Sequence, residues 1–298
     1  MSTRAADRLS YLSQVTPRDS ARPQDPTGDP RRWRDELLQR SLDTAPDGTW
    51  GPVAVLASTG STNADAADQV REGAPEGFTV VADEQTRGRG RLDRTWESAS
   101  GAGLAMSVVL RPVVPEGSWG WIPLLSGVAV VDALAEQGMV AALKWPNDVV
   151  VDGPARDGSP GPRKLGGLLA ERVERAVVVG IGVNTDLRAD ELPVGRATST
   201  WLEGARVARE TLVVDILEAL RHRYAGWQGA AGDAARSGLA AAYAERCLTL
   251  GREVRAQLPG QRVVEGTAVD IDDQGRLVLR LGDGTAFSVS AGDVEHLR

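Results

Sequence analysis

At 298 residues, with 42% hydrophobic and 25% charged residues, the chain is long enough to bury one large core and a second, small one. A formal charge of −7 excludes general affinity for nucleic acid or an anionic membrane, which needs a basic face. One cysteine, Cys247, rules out a disulfide framework and a multi-cysteine metal site, and two histidines, His222 and His296, are too few for a His-built zinc centre. Both histidines read as surface residues.

In chain order, residues 1–30 are rich in Pro, Asp, Arg and Ser without apolar periodicity and read as a disordered tail. Trp33, Leu37, Leu38 and Leu42 then recur at helical spacing, which predicts a short amphipathic helix over 31–42. A strand is expected at 53–57, followed by Ser61-Thr62-Asn63 ahead of an Ala-rich run, a helix N-cap signal. Strands are expected at 78–82 and 104–110, with a polar, glycine-rich segment between them. A buried helix starts near Trp119; Pro123, Ser126, Gly127 and Asp132 interrupt it too often for a membrane span. Nothing at the N-terminus resembles a signal peptide, so a cytoplasmic location is expected.

Apolar β-type runs follow at 141–144 leading into 149–151, at 165–170 and at 176–183. Between the first two, the Gly- and Pro-rich stretch 152–163 predicts a mobile hairpin loop. Helices are expected over 207–227 and 238–248. Beyond Cys247, short β-type runs at 253–258, 262–272, 276–281 and 286–290 are separated by turn signals, the pattern of a small barrel docked on the larger domain.

Two residue types are scarce and clustered. All three asparagines (Asn63, Asn147, Asn184) and both lysines (Lys144, Lys164) fall in four Gly-, Pro- or charge-rich patches, while every other basic residue is arginine. An ammonium is a compact point charge on a flexible stem and is not interchangeable with a planar guanidinium at a reacting centre. Gln85 to Trp96 alternates glycine with Arg87, Arg89 and Arg91, then adds Arg94. It offers close backbone approach and guanidinium forks for an anion, or alternatively an RNA-binding or merely solvated loop. Lys144-Trp145-Pro146-Asn147-Asp148 must turn at its proline, and can bind phosphate and a divalent ion, orient an amine, or form a surface ion pair. Gly180-Ile181-Gly182-Val183-Asn184 ends a buried strand with small residues that suit a flat ring or close packing.

In combination, these patches resemble the biotin protein ligase family: Ser61-Thr62-Asn63, Gln85, Gly88-Arg89-Gly90-Arg91 with Arg94 and Trp96, Lys144 to Asp148, Lys164-Leu165 with Gly167, and Gly180 to Asn184. The resemblance covers about residues 50–298. It implies an α+β fold of the class II aminoacyl-tRNA synthetase-like type, a mixed central sheet with flanking helices, plus a small C-terminal SH3-like β-barrel. The corresponding division is a tail (1–30), a catalytic domain (31–247) and the barrel (248–298).

It further implies that biotin and ATP are joined as biotinyl-5′-AMP, with Mg²⁺, and that the biotinyl group passes to a lysine of the carboxyl carrier domain of an acyl-CoA carboxylase. Ser61, Thr62, Asn63, Gln85, Arg89, Gly90, Arg91, Lys164 and Gly167 would hold biotin. Arg94, Trp96, Lys144, Gly180, Gly182 and Asn184 would hold the nucleotide. Lys164, Arg91, Lys144 and Asp148 would carry the chemistry, with Asp148 on the acceptor amine or on the metal. Arg87, Gly166 and the long 152–163 loop depart from the common family pattern. Too little chain precedes the catalytic region for a winged helix-turn-helix, so no nucleic-acid or membrane partner is expected, and the chain should be a monomer or weak homodimer. The alternatives are a lipoate or octanoate ligase of the same fold, a biotin-sensing DNA-binding regulator, and a non-catalytic nucleotide-binding scaffold.

Overall fold

Alternating apolar residues on adjacent strands create a sheet with two buried faces, and this sheet organises the molecule. The computed structural model describes residues 50–297, apart from 92, 93, 97–100, 193, 194, 259, 261 and 291. The expected tail and the helix at 31–42 lie outside the described residues.

The chain runs β1 (Val53–Thr59), α1 (Thr62–Arg71), β2 (Thr79–Gln85), β3 (Gly103–Leu110), α2 (Trp121–Glu136), β4 (Ala142–Lys144), β5 (Asp148–Val151), β6 (Arg163–Val173), β7 (Ala176–Asn184), α3 (Arg209–Gly229) and α4 (Leu239–Arg246). The strands form one seven-stranded sheet in the order β1-β2-β3-β7-β6-β5-β4. Only β1 and β2, joined through α1, run parallel; the other neighbours are antiparallel.

Because side chains alternate along a strand, Val80, Val109 and Val178 point to one face and pack with Ala66 and Val70 of α1. Val81, Val108, Val177 and Val179 point to the other face and join the core shared with α2 and α3. All eight residues of β3 are buried, as expected of a strand covered on both faces. Helix α2 starts at Trp121, two residues later than predicted, and tolerates Pro123 because the first turn has no intrahelical use for that N–H.

The C-terminal segment is a five-stranded antiparallel sheet in the order β11-β10-β9-β8-β12, formed by β8 (Glu253–Leu258), β9 (Arg262–Ile271), β10 (Leu277–Arg280), β11 (Ala286–Val289) and β12 (Asp293–His296). The sequence reading contained four of these strands. It missed β12, whose residues Asp293, Val294, Glu295 and His296 include a single apolar side chain.

The two units share one hydrophobic cluster, since Val254, Ala256, Leu277, Leu279 and Val294 pack with residues of α2 and α4. Polar contacts fix their register: the indole N–H of Trp145 donates to the Gly275 carbonyl (3.2 Å), and that of Trp121 to the carbonyls of Asp272 and Asp273 (3.1 Å each). Two carbonyls of the Gly- and Pro-rich hairpin between β5 and β6 are met by arginine side chains. Arg163 donates to the Pro154 carbonyl (2.7 Å) and Arg196 to that of Pro160 (2.8 Å), while Arg163 also grips Glu203 through two bonds. No helix among the described residues is long and apolar enough to cross a membrane.

Candidate functional site

The site gathers where β1 feeds α1, where β2 ends, and where the middle of β6 and the end of β7 lie side by side. Ser61 sits at the N-cap position of α1, yet its side chain makes no capping bond. The first-turn donor is met from elsewhere: Gln85 Oε1 accepts from Thr62 N (2.9 Å) and from Thr62 Oγ1 (3.0 Å). With its oxygen occupied twice, Gln85 has its NH₂ group left for a ligand.

Asn63 has the opposite polarity. Its Nδ2 donates to the Leu169 carbonyl (3.2 Å) and to Glu171 Oε2 (2.7 Å), and its Oδ1 accepts from Ser107 Oγ (2.6 Å). Both amide hydrogens and one lone pair are therefore committed, and what remains is a single acceptor site. Gly180 lies directly against this amide, where a Cβ would overlap Asn63 Oδ1.

The glycine–arginine segment folds as a tight hairpin over the pocket. Trp96 N donates to the Gly88 carbonyl (2.9 Å) and Gly90 N to that of Arg94 (2.6 Å), with Arg89 paired to Thr95. A Cβ on Gly88 would stand 2.5 Å from the Trp96 carbonyl, so this hairpin requires glycine there. Besides the Arg89–Glu171 ion pair at its base (2.9 Å), three contacts hold its far end shut: Arg91 reaches Asn147 Oδ1 (3.2 Å) and the Gly292 carbonyl (3.4 Å), and Arg94 forms an ion pair with Asp293 of β12. Burial pulls the Arg91 guanidinium below its ordinary pKa, opposed by the nearby carboxylates Asp293 and Asp148.

Both lysines reach this space from the sheet. Asp148 lies opposite Lys144 in one ladder and opposite Gly167 in the next, and a register shift between Val149 and Val150 brings Lys164 beside it. Lys164 Nζ is 2.7 Å from Asp148 Oδ1 and 5.8 Å from the centre of the Trp96 ring. The backbone of Lys164 is pinned on both sides, its N–H to the Arg196 carbonyl (2.6 Å) and its carbonyl to Thr198 N (2.8 Å). Lys144 is more buried, and desolvation draws its ammonium below the usual lysine range against the pull of Asp148 and Asp293. The Trp96 indole lies on Gly182, where a Cβ would come within 2.5 Å of the ring.

These groups line one pocket of about 280 Å³. Of the residues expected to form the site, Ser61, Thr62, Asn63, Gln85, Arg89, Gly90, Arg91, Arg94, Trp96, Lys144, Asp148, Lys164, Gly167, Gly180 and Gly182 are all on its wall. Asn184 is not among the lining residues. It is buried, and its amide donates to the Thr198 carbonyl (2.9 Å), so it braces the segment paired with Lys164. Among the described residues no group of three His, Cys, Asp or Glu side chains could hold a metal ion.

Sequence reasoning missed Ser107, Glu171, Asp293 and Glu295. Ser107 is the one hydroxyl in an otherwise apolar strand, a signal that could have found it. Asp293 and Glu295 lie on the unrecognised β12.

His296 also departs from its reading as a surface residue. It is half-buried, its Nε2 is 3.1 Å from Thr249 Oγ1, its Nδ1 is buried without a partner, and burial lowers its pKa to about 4. The unfolded chain therefore takes up a proton near pH 6.5 that the folded chain refuses until about pH 4, and stability falls as pH drops through that window. The expected result is a thermal midpoint that declines from pH 7 to pH 5, with a His296 contribution of at most about 1.4 kcal/mol per pH unit. His296→Leu should flatten that part of the slope in a melting series; an unchanged slope would show that His296 does not contribute.

Comparison with known proteins agrees with this geometry. The pattern of the biotin/lipoate A/B protein ligase family matches residues 55–187, and that of the biotin protein ligase C terminal domain matches residues 249–297. The chain is 40% identical over 290 residues to the biotin--[acetyl-CoA-carboxylase] ligase of Mycobacterium tuberculosis, covering 95% of this chain and 100% of that protein.

This chain belongs to the biotin protein ligase family.

Among other family members, the bifunctional ligase/repressor BirA of Bacillus subtilis is 35% identical over 256 residues, covering 81% of this chain and 72% of that protein. A biotin protein ligase from Aquifex aeolicus, solved in complex with biotin and ATP, superposes with a TM-score of 0.67 at 27% identity, covering 83% of this chain and 98% of that one. The mixed sheet and small C-terminal β-unit described above are the biotin protein ligase fold.

Proposed function

We propose that the chain is an ATP-dependent biotin–protein ligase that carries out two steps in one pocket. In the first, a carboxylate oxygen of biotin attacks the α-phosphorus of ATP, the bond to the β-phosphate oxygen breaks, and pyrophosphate leaves biotinyl-5′-adenylate behind. In the second, the amine of a carrier lysine attacks the acyl carbon, the amide forms, AMP departs with the anhydride oxygen, and the amine nitrogen loses a proton.

One observation carries this reading: a donor–acceptor set of opposite polarity, two ammonium groups and a closed arginine hairpin converge on the same pocket. A ureido ring carries both N–H donors and a carbonyl acceptor. It would meet the free acceptor of Asn63 and the free amide of Gln85, with Ser61 and Thr62 beside them; burying such a ring unpaired would cost about 1–3 kcal/mol per group. Arg89, Gly90 and Gly167 shape the adjoining wall. Lys164, paired with Asp148 at rest, would exchange that partner for the biotin carboxylate and then for the charge growing at phosphorus. Asp148, once released, stands where it can accept the proton of the incoming amine.

Lys144 and Arg94 would hold phosphates, Trp96 and the floor at Gly180 and Gly182 would hold the adenylate, and Asn184 would act from behind by bracing Lys164. A bound Mg²⁺ would supply charge neutralisation for the departing pyrophosphate. Asp148 and Asp293 are the carboxylates at that end, enough for an ion that is held by one or two carboxylates and by phosphate oxygens.

The proposal includes the division into a catalytic unit (31–247) and a C-terminal unit (248–298), with β12 of the second completing the site of the first. Its acceptor is the carrier domain of an acyl-CoA carboxylase in the cytoplasm. It includes no nucleic-acid or membrane partner, and a monomer or weak homodimer as the working form. A lipoate or octanoate ligase of this fold is disfavoured because a dithiolane or alkyl chain would leave Asn63 and Gln85 unpaired.

Pyrophosphate–ATP exchange tests the reading: exchange that depends on biotin and not on lipoate is expected, and exchange with lipoate alone would overturn it. Arg91→Gly removes two of the three closing contacts of the hairpin and should release adenylate about 10–100-fold faster, since a mixed anhydride survives only while water is excluded. Labelling of lysines on a bystander protein would reveal the escape; retention of radiolabelled adenylate through gel filtration would contradict it.

A further inference from the structure

We infer that Glu171, a residue off the pocket wall, is a positioning residue that fixes the polarity of the biotin-ring site and couples it to the arginine hairpin. The inference rests on the biotin reading above and goes beyond it by naming what sets ring specificity.

One carboxylate oxygen of Glu171 accepts from two directions, from Asn63 Nδ2 at 2.7 Å and from Arg89 Nη2 at 2.9 Å. Glu171 is absent from the pocket lining, whereas Asn63 and Arg89 are both present, so any effect on a ligand passes through those two residues. The side chain is about two-thirds shielded, at 31% exposure, which strengthens its bonds relative to a fully solvated pair.

An asparagine amide can flip, exchanging its oxygen and nitrogen, and the neighbours decide which way it rests. At Asn63 the flipped state would set Oδ1 against the Glu171 carboxylate and the Leu169 carbonyl, two acceptors facing a third. Glu171 is the charged member of that lock, and bonds to a charged acceptor are the stronger ones. In the locked state Asn63 has only an acceptor to offer a ligand, and it therefore selects a ring that presents N–H. Without Glu171 the amide keeps the Leu169 carbonyl at 3.2 Å and the Ser107 hydroxyl at 2.6 Å. A hydroxyl can accept as well as donate and so serves either orientation, which leaves the long Leu169 bond as the one orientation-selective tether, and the amide can turn its NH₂ towards the ligand. The same carboxylate also anchors Arg89, so that the ring site and the base of the hairpin share one fixed point.

The test compares wild type with Glu171→Ala, Glu171→Leu and Glu171→Gln in pyrophosphate exchange. The probes are biotin and its cyclic-carbamate analogue, in which a ring N–H is replaced by oxygen. Wild type should prefer biotin by about 10-fold or more. Glu171→Ala and Glu171→Leu should raise the KM for biotin by about 10–100-fold, leave the KM for ATP within about threefold, and cut the preference for biotin at least fivefold. Glu171→Gln, whose amide oxygen can stand where the shared carboxylate oxygen stands, should keep both quantities within about threefold of wild type.

Alanine and leucine differ in volume and strand propensity, and either one that folds, judged by its melting midpoint, decides the question. A folded variant lacking the carboxylate, with biotin KM and analogue discrimination unchanged, overturns the inference. So does Glu171→Gln if it behaves like alanine, because an acceptor alone would then not be what matters. Absence of biotin-dependent exchange in wild type would instead overturn the functional reading.

Discussion

Lys164→Ala is expected to lower biotin-dependent pyrophosphate exchange by about 10²–10³-fold, the loss typical when one charged group that meets the transition state is removed. Lys164 Nζ lies 2.7 Å from Asp148, and its backbone is fixed by two bonds that do not depend on its side chain. The strand should therefore persist when the side chain is cut back. The Lys164 side chain is 38% exposed, so the fold loses little: a partly exposed ion pair contributes on the order of 0–1 kcal/mol. Circular dichroism and melting should stay close to wild type while exchange collapses. Arginine should restore little, because a planar fork cannot pass from Asp148 to a carboxylate and then to phosphorus along the same short path. Exchange within tenfold of wild type in the alanine variant would remove Lys164 from the chemistry.

Gly180→Ala should be nearly as damaging, by a steric route. The added methyl would overlap Asn63 Oδ1, and that amide is held by bonds to Leu169, Glu171 and Ser107. Asn63 is 4% exposed and cannot swing into solvent, so the side chain that reads the ring must shift or the strand must bend. Overpacking of this kind costs about 1–3 kcal/mol of stability. Displacement of a ring-reading side chain should weaken biotin binding by about 50-fold or more. Calorimetric titration with biotin reads the second effect directly, and unchanged affinity in a folded variant would contradict the position assigned to Asn63.

Much of this site could be read from the sequence because its residues are unusual for this chain. In a protein that otherwise uses arginine for positive charge, Lys144 and Lys164 stand out, and the structure brings both to one pocket. The glycines were equally legible, since Gly88, Gly180 and Gly182 lie where a Cβ would strike a carbonyl, an amide or an indole. Strand positions followed from apolar runs, and most elements begin within two residues of expectation.

What remained hidden depends on distance in sequence. Strand β12 carries one buried apolar residue, Val294, between charged neighbours, and it becomes a strand only because β8 supplies its hydrogen-bond partners. Asp293 thereby reaches Arg94 across 199 residues. Glu171 looks like an ordinary outward-facing acid until α1 and the hairpin are placed against it. Asn184 has a contact that its residue type did not announce: its amide donates to the Thr198 carbonyl, beside the segment paired with Lys164.

The most direct test of the whole account is a crystal structure grown with biotin and ATP. It should show biotinyl-adenylate in this pocket, with the ring against Asn63 and Gln85, the acyl phosphate at Lys164, and the Lys164–Asp148 ion pair broken. Density for the adenylate elsewhere on the molecule, or in this pocket with that ion pair still intact, would contradict it.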